Sequence, residues 1–175
     1  NINSNPTYTR YEISQSTVGF TTSLSTPVAV SDNHTASSKT FTGLSPGTTY
    51  YFRLRAFNGR VSDASGAAFG SFISTSFVTL PAAPTLSVIA LSTGSVRWSW
   101  TLTTGATGYR LYTVGGSTLI VDTPLLTYSS GSLSADVSYG AQIEAYNSAG
   151  LAGPRSSASI YTKAARPQNP TISTV

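Results

Sequence analysis

The sequence predicts an all-β fold, on three observations. Apolar residues almost nowhere recur at the three- and four-residue spacing of a helix, and Thr, Val, Tyr, Phe and Ile dominate the ordered-looking runs. Alternation takes the place of helical spacing. In Ser95-Val96-Arg97-Trp98-Ser99-Trp100-Thr101 the side chains of Val96, Trp98 and Trp100 share one face and Arg97 and Ser99 the other, the pattern of a half-buried strand. Thirdly, a strand ending at Asn58 recurs at Asn147, an offset of 89, so the chain repeats itself.

Each element follows in chain order. Arg10-Tyr11-Glu12-Ile13 corresponds to Gly108-Tyr109-Arg110-Leu111 at an offset of 98, so the loops between the matched segments differ by about nine residues, which loops absorb. Leu44-Ser45-Pro46-Gly47-Thr48-Thr49-Tyr50 corresponds to Leu133-Ser134-Ala135-Asp136-Val137-Ser138-Tyr139. In the strand that follows, Tyr50, Phe52, Leu54 and Ala56 fall on one face, and Tyr51, Arg53, Arg55 and Phe57 on the other. The first face is expected to go inward and the second to carry the charge. Pro84-Thr85-Leu86-Ser87-Val88-Ile89 matches Pro170-Thr171-Ile172-Ser173-Thr174-Val175, each after an Ala- and Pro-containing joint, Leu80-Pro81-Ala82-Ala83 or Lys163-Ala164-Ala165-Arg166-Pro167. These joints place the boundaries: a first unit over residues 1–79, a second over 80–163, and a linker with a strand-like start of a third over 164–175.

Composition narrows the chemistry. The 175 residues, 39% hydrophobic and 11% aromatic, suffice to bury a core. Charged residues are only 9%, and Ser plus Thr supply the polarity at roughly a third of the chain. With no Cys, no Met and one His, thiol catalysis, Cys-based zinc sites and multi-His metal cages are excluded, so no catalytic residue, metal or cofactor is expected. The net charge of +4 is spread from Arg10 to Arg166 without a dense basic cluster, which speaks against a nucleic-acid partner. No apolar run reaches the ~18 residues of a membrane span, and the start has no signal-peptide layers. A Cys-free, hydroxyl-rich chain fits an extracellular or cell-surface setting.

These residues resemble the fibronectin type III module, an immunoglobulin-like β-sandwich of seven strands lettered A to G. Ser95–Trp100 looks like strand B with Trp100 at the family's core Trp, and Gly108–Leu111 looks like strand C. Leu133 to Tyr139 looks like the corner between strands E and F, and Ala145-Tyr146-Asn147-Ser148-Ala149-Gly150 like the exit of strand F. The first unit keeps the fuller corner, Leu44-x-Pro46-Gly47-x-x-Tyr50, but has nothing resembling strands A and B, so it is read as strands C to G. The resemblance implies tandem sandwiches in which Tyr50, Tyr139, Trp100, Tyr11 and Tyr109 are core residues. It also implies a semi-rigid rod extended by roughly 30–35 Å per module. Lacking two strands, the first sandwich would expose Tyr11, Ile13, Phe52 and Leu54 and unpaired backbone edges. Either the chain is a piece of a longer array, or another chain supplies the missing strands; the first reading is favoured, because the C-terminal segment resembles strand A and no B.

Candidate sites are then few. His34, in Ser31-Asp32-Asn33-His34-Thr35, reads as a polar loop residue, and Asn33-His34-Thr35 fits the N-glycosylation pattern only as a short chance match. The six carboxylates form no close pair. Asn58-Gly59-Arg60 reads as a hairpin turn, with a displayed recognition loop as the alternative. The stripe Tyr51, Arg53, Arg55 and Phe57 beside Arg10 is the best candidate interaction surface, because aromatics and Arg are enriched at interfaces. Its partner would be protein, self or a neighbouring module, with surface glycans as a further candidate. The expected function is a non-enzymatic structural repeat of a large secreted or cell-surface protein of adhesin or filament type, able to self-assemble by strand complementation. The alternative is a spacer or accessory module of a secreted polysaccharide-degrading enzyme, and a receptor-type ligand-binding pair is a second rival.

Overall fold

The computed structural model describes residues 5–22, 24–58 and 69–168. The chain divides into two compact units, Asn1–Thr79 and Leu80–Val175. The described residues hold β-strands and one short 3-10 turn at Val30–Asp32, and no α-helix.

The second unit is a complete two-sheet sandwich. One sheet has the order β5-β6-β9, from β5 (Leu86–Ala90), β6 (Val96–Trp100) and β9 (Thr127–Ser130). The other has the order β11-β10-β7-β8, from β11 (Ser156–Tyr161), β10 (Ser138–Tyr146), β7 (Gly108–Thr113) and β8 (Leu119–Thr123). Period-two alternation puts Leu86, Val96, Trp98 and Trp100 on the inner face of the first sheet. They meet Tyr109, Leu111, Ala141, Ile143 and Ala145 of the second in one buried core. Trp98 donates its indole N–H to Ser130 Oγ at 3.1 Å, which answers the polar atom of a buried ring. The joint at Leu80–Ala83 is tied into this unit: Pro81 and Pro84 are fully buried, Gly153 has no room for a Cβ against the Pro81 carbonyl, and Ser156 Oγ donates to the Pro84 carbonyl.

The first unit, by contrast, has a single described sheet, ordered β2-β1-β3-β4, from β1 (Arg10–Ser16), β2 (Ser25–Val28), β3 (Thr49–Phe57) and β4 (Ile73–Val78). These strands stand where β7, β8, β10 and β11 stand in the second unit. The expected content of strands C to G needs one correction. Residues 34–48, where strand E would lie, form no strand. In the second unit β9 exists by pairing with β6 through Trp98↔Tyr128 and its neighbours. A strand without a ladder partner has no backbone bonds to hold it extended.

The corner tyrosines act alike in both units. Tyr50 Oη accepts the Ser45 N–H at 2.9 Å, and Tyr139 Oη accepts the Ser134 N–H at 2.9 Å. A threonine at the end of the last strand completes each corner. Thr79 Oγ1 accepts the Thr48 N–H at 2.9 Å and donates to the Ser45 carbonyl at 2.7 Å; Thr162 Oγ1 accepts the Val137 N–H at 3.2 Å and donates to the Ser134 carbonyl at 2.6 Å. Tyr139→Phe, which deletes one hydrogen bond on an exposed turn, is expected to cost about 1 kcal/mol. Thr162→Val, which deletes a buried hydroxyl serving the Val137 N–H and the Ser134 carbonyl, is expected to cost about 2 kcal/mol. Urea unfolding of both variants tests the order, and an equal or reversed cost would remove this role from Thr162.

Candidate interaction surface

The outward face of the first unit is built by the register of β1 on β3. Arg10, Glu12, Ser14 and Ser16 lie opposite Phe57, Arg55, Arg53 and Tyr51. Ser14 and Ser16 are small and buried. The arginines lie among rings: the Arg53 guanidinium carbon is 4.8 Å from the Phe20 ring centroid and 4.3 Å from that of Phe72. Arg55 is 3.6 Å from the Phe69 centroid and 4.8 Å from Phe72, while Nε and Nη2 each reach Glu12 Oε1 at 2.7 Å. Arg10 is 5.9 Å from the Phe57 centroid, and Tyr51 meets Phe20 edge-on at 6.5 Å. Stacked cations of this kind are held by the ring quadrupole and lose little mobility on contact with a partner.

One predicted member of the stripe departs from the alternation. Phe57 is only 2% exposed, because Phe69 pairs with it and packs its ring at 5.0 Å. The accessible stripe is therefore Tyr51, Arg53 and Arg55, extended by Phe20 and Phe72, which the alternation of β3 alone could not reveal. Asn58 is exposed, and Gly59 and Arg60 lie outside the described residues.

The second unit carries a related face with the charges exchanged. Glu12 pairs across from Arg55 in the first unit; at the matching register, Arg110 pairs across from Glu144 in the second. Glu144 is buried. Arg155 Nε reaches its Oε2 at 2.7 Å, Tyr112 Oη donates to its Oε1 at 3.0 Å, and Arg110 Nη1 is 3.8 Å from Oε1. Asp122 accepts from Arg110 Nε at 3.0 Å and from Tyr146 Oη at 2.9 Å. Arg155 stacks on Tyr112 at 3.9 Å and Arg110 on Tyr146 at 4.2 Å. Gly108 makes this possible, since the Tyr146 ring occupies the space a Cβ would need.

These bonds displace ionisation. The hydrogen bond to Asp122 raises the Tyr146 phenol above its ordinary value of 10.0 and, first of its causes, raises Arg110. Burial, followed by the bond to Glu144, raises Tyr112. A folded-state pKa above the unfolded one means that the folded form binds more protons between the two values, so stability is whole below about pH 10 and falls as pH rises through the raised pKa. The urea midpoint of the second unit is expected to hold from neutral pH and then decline in alkali. Asp122→Asn should bring the Tyr146 phenolate absorbance to lower pH; an unmoved titration would refute the coupling.

His34 is half-buried in the first unit, and its carbonyl accepts the Tyr11 N–H at 2.8 Å. It borders an open cleft of about 370 Å³ on the inner face, whose apolar floor is Tyr11, Ile13, Leu54 and Ile73. The expected exposure of that face holds for part of it. Tyr11, Ile13 and Leu54 are half-buried, but Phe52 is buried under Phe41, at 4.8 Å between ring centroids, and beside Phe77 at 5.6 Å. Among the described residues no three His, Cys, Asp or Glu side chains gather, and no helix is long and apolar enough to cross a membrane.

Comparison with known proteins identifies the repeat. Residues 2–69 match the fibronectin type III domain model. Chitinase A1 of Niallia circulans is 34% identical over 147 residues, covering 79% of this chain and 21% of that protein. Exoglucanase B of Cellulomonas fimi is 32% identical over 139 residues, covering 74% of this chain and 13% of that one. The chain thus spans about a fifth or less of the length of these relatives. A solved segment of two fibronectin type III domains from chicken tenascin superimposes with a TM-score of 0.53 at 20% identity, covering 87% of this chain and 84% of that one, which speaks to the fold alone.

Proposed function

Fibronectin type III modules are what this chain is built from, and on that premise we propose that it is a non-catalytic accessory stretch of a secreted polysaccharide-degrading enzyme. The observation that carries this reading is the alignment of most of the chain with two such enzymes, each of which extends far beyond it. The side-chain chemistry agrees. The arginines of both outward faces are engaged by the chain's own carboxylates and rings. A module of this kind holds other domains apart outside the cell and contributes surface, not turnover.

Two measurements test the proposal. The purified chain should release no sugar from crystalline chitin or cellulose, and hydrolysis by the chain would overturn its non-catalytic role. The coding sequence on either side should encode a glycoside-hydrolase domain, whereas further modules of the same kind on both sides would move the assignment to a structural array. For the outward stripe, Tyr51→Ala with Arg53→Ala and Arg55→Ala, leaving buried Phe57 intact, should weaken a protein partner's binding at least tenfold; unchanged binding removes the surface.

A further inference from the structure

We infer that the outward face of the first unit receives an acidic segment of another protein, with an Asp or Glu carboxylate of that segment held end-on by the two Nη groups of Arg53. The inference rests on the reading of the outward stripe as an interaction surface and names the chemistry of its partner; it does not depend on the enzyme setting.

Arg53 is held differently from the arginines that stack closely elsewhere. Arg55, Arg110 and Arg155 each lie over a ring and each hold a carboxylate as well: Glu12 for Arg55, Asp122 and Glu144 for Arg110, and Glu144 for Arg155. Arg53 lies over two rings, Phe20 and Phe72, and among the described residues it pairs with no carboxylate. Arg10 lacks one there too, but meets a single ring at 5.9 Å. The Arg53 Nε is buried and has no hydrogen-bond partner among the described residues. Drawing a guanidinium out of water without a counter-charge is unfavourable, and the ring quadrupoles offset only part of that. The two Nη groups, which are not sealed in this way, are the donors left for an acceptor from outside.

Register clears the approach. Arg53 pairs across from Ser14 on β1 and Ser74 on β4, so no long side chain of either neighbouring strand stands directly beside it. In the second unit the matching position holds the neutral Gln142, across from Tyr112 and Ser157. Charge follows the same division. On β1 and β3 the outward face sets Arg10, Arg53 and Arg55 against Glu12 alone, whereas Arg110 and Arg155 in the second unit are balanced by Asp122 and Glu144. The first face therefore attracts an acidic partner, and the second does not. A sugar fits less well, because the guanidinium already lies over one face of Phe20 and of Phe72, the surfaces on which a sugar ring would stack. A fixed planar fork suits a carboxylate. Since the two rings hold that fork before contact, little side-chain freedom is lost on binding.

The test titrates a soluble peptide that alternates Glu with Tyr into the intact chain, followed by NMR of the arginine Nε–H groups and the backbone amides. The Arg53 Nε–H and the amides of Ser14, Arg53 and Ser74 are expected to shift together and to saturate, while the Nε–H signals of Arg110 and Arg155 stay in place. The same peptide with Gln for Glu should bind at least tenfold more weakly, and so should the parent peptide on Arg53→Gln, since each removes one side of a charge-assisted pair. Arg53→Lys, which keeps the charge and loses the fork, should recover only part of the binding. Equal binding of the Gln and Glu peptides overturns the carboxylate assignment and leaves the stripe an interaction surface. Absence of any shift at millimolar peptide overturns it as well, and the triple substitution of the stripe, read with its own protein partner, then shows separately whether the surface itself stands. Equal shifts at Arg110 and Arg155 would show attraction by net charge alone, and oligogalacturonate or inorganic phosphate acting as strongly as the peptide would show a glycan or a free anion; either overturns the proposal. Should Arg53→Gln fail to fold, the Glu and Gln peptides on the unaltered chain decide alone.

Discussion

Trp98→Ala is expected to destabilise the second unit by about 3–5 kcal/mol. Trp98 is 2% exposed, lies between Val88 on β5 and Tyr128 on β9, and faces the core formed by Tyr109, Leu111 and Ile143. Truncation removes one of the two indole rings of the core, leaves a cavity between two sheets that cannot easily close, and deprives Ser130 Oγ of its donor. Against the roughly 5–15 kcal/mol that a domain commonly holds, such a loss leaves little. Trp100 supplies the internal control. It is as inward and meets Tyr109 at 5.9 Å, but its indole N–H has no hydrogen-bond partner among the described residues. Trp100→Phe should therefore cost less than Trp98→Phe, which loses both volume and a bond. Denaturant titration of the three variants, read by circular dichroism, decides it. A cost below about 1 kcal/mol for Trp98→Ala would mean that the two sheets are not held by this ring.

The Trp positions were legible because period two is strict over β6, and the corner tyrosines because a ring with a hydroxyl needs a turn a few residues upstream. The strand pairs legible from the internal repeat are those whose partners both fall inside it. Phe57 was not legible, since its burial depends on Phe69, a residue that no local pattern places against it. The unformed strand at residues 34–48 escaped for a related reason: its composition suits a strand, but strand formation is a property of the pair. Thr79 and Thr162 escaped because, among so many hydroxyl residues, a threonine tied into a corner differs from a solvated one only in its partners. The outward arginines were visible as a stripe, whereas their stacking on Phe20, Phe69 and Phe72 required three rings from other segments.

Glu144→Gln keeps the shape of the second unit's outward face and removes its central charge, and the expected cost is about 2 kcal/mol. Loss of one partner of a buried pair commonly costs about 3–5 kcal/mol. Here Arg155 and Arg110 keep 33% and 29% of their side-chain surface in water, which relieves the stranded cations and lowers the figure. Arg110 also retains Asp122, so Arg155 bears most of the loss, held only by the Gly116 carbonyl and the Tyr112 ring. The first unit shows that the opposite polarity is sterically admissible at this register, with Glu12 on the first strand and Arg55 on the second. Glu144→Arg alone should accordingly be worse than Glu144→Gln, placing a third cation among two. Adding Arg110→Glu should recover part of the loss but not all, since Arg155 and Asp122 then face like charges. A double-mutant cycle on unfolding free energy reads the coupling directly. Additive costs at these two positions would show that the paired charges stabilise the face no more than any exposed pair does.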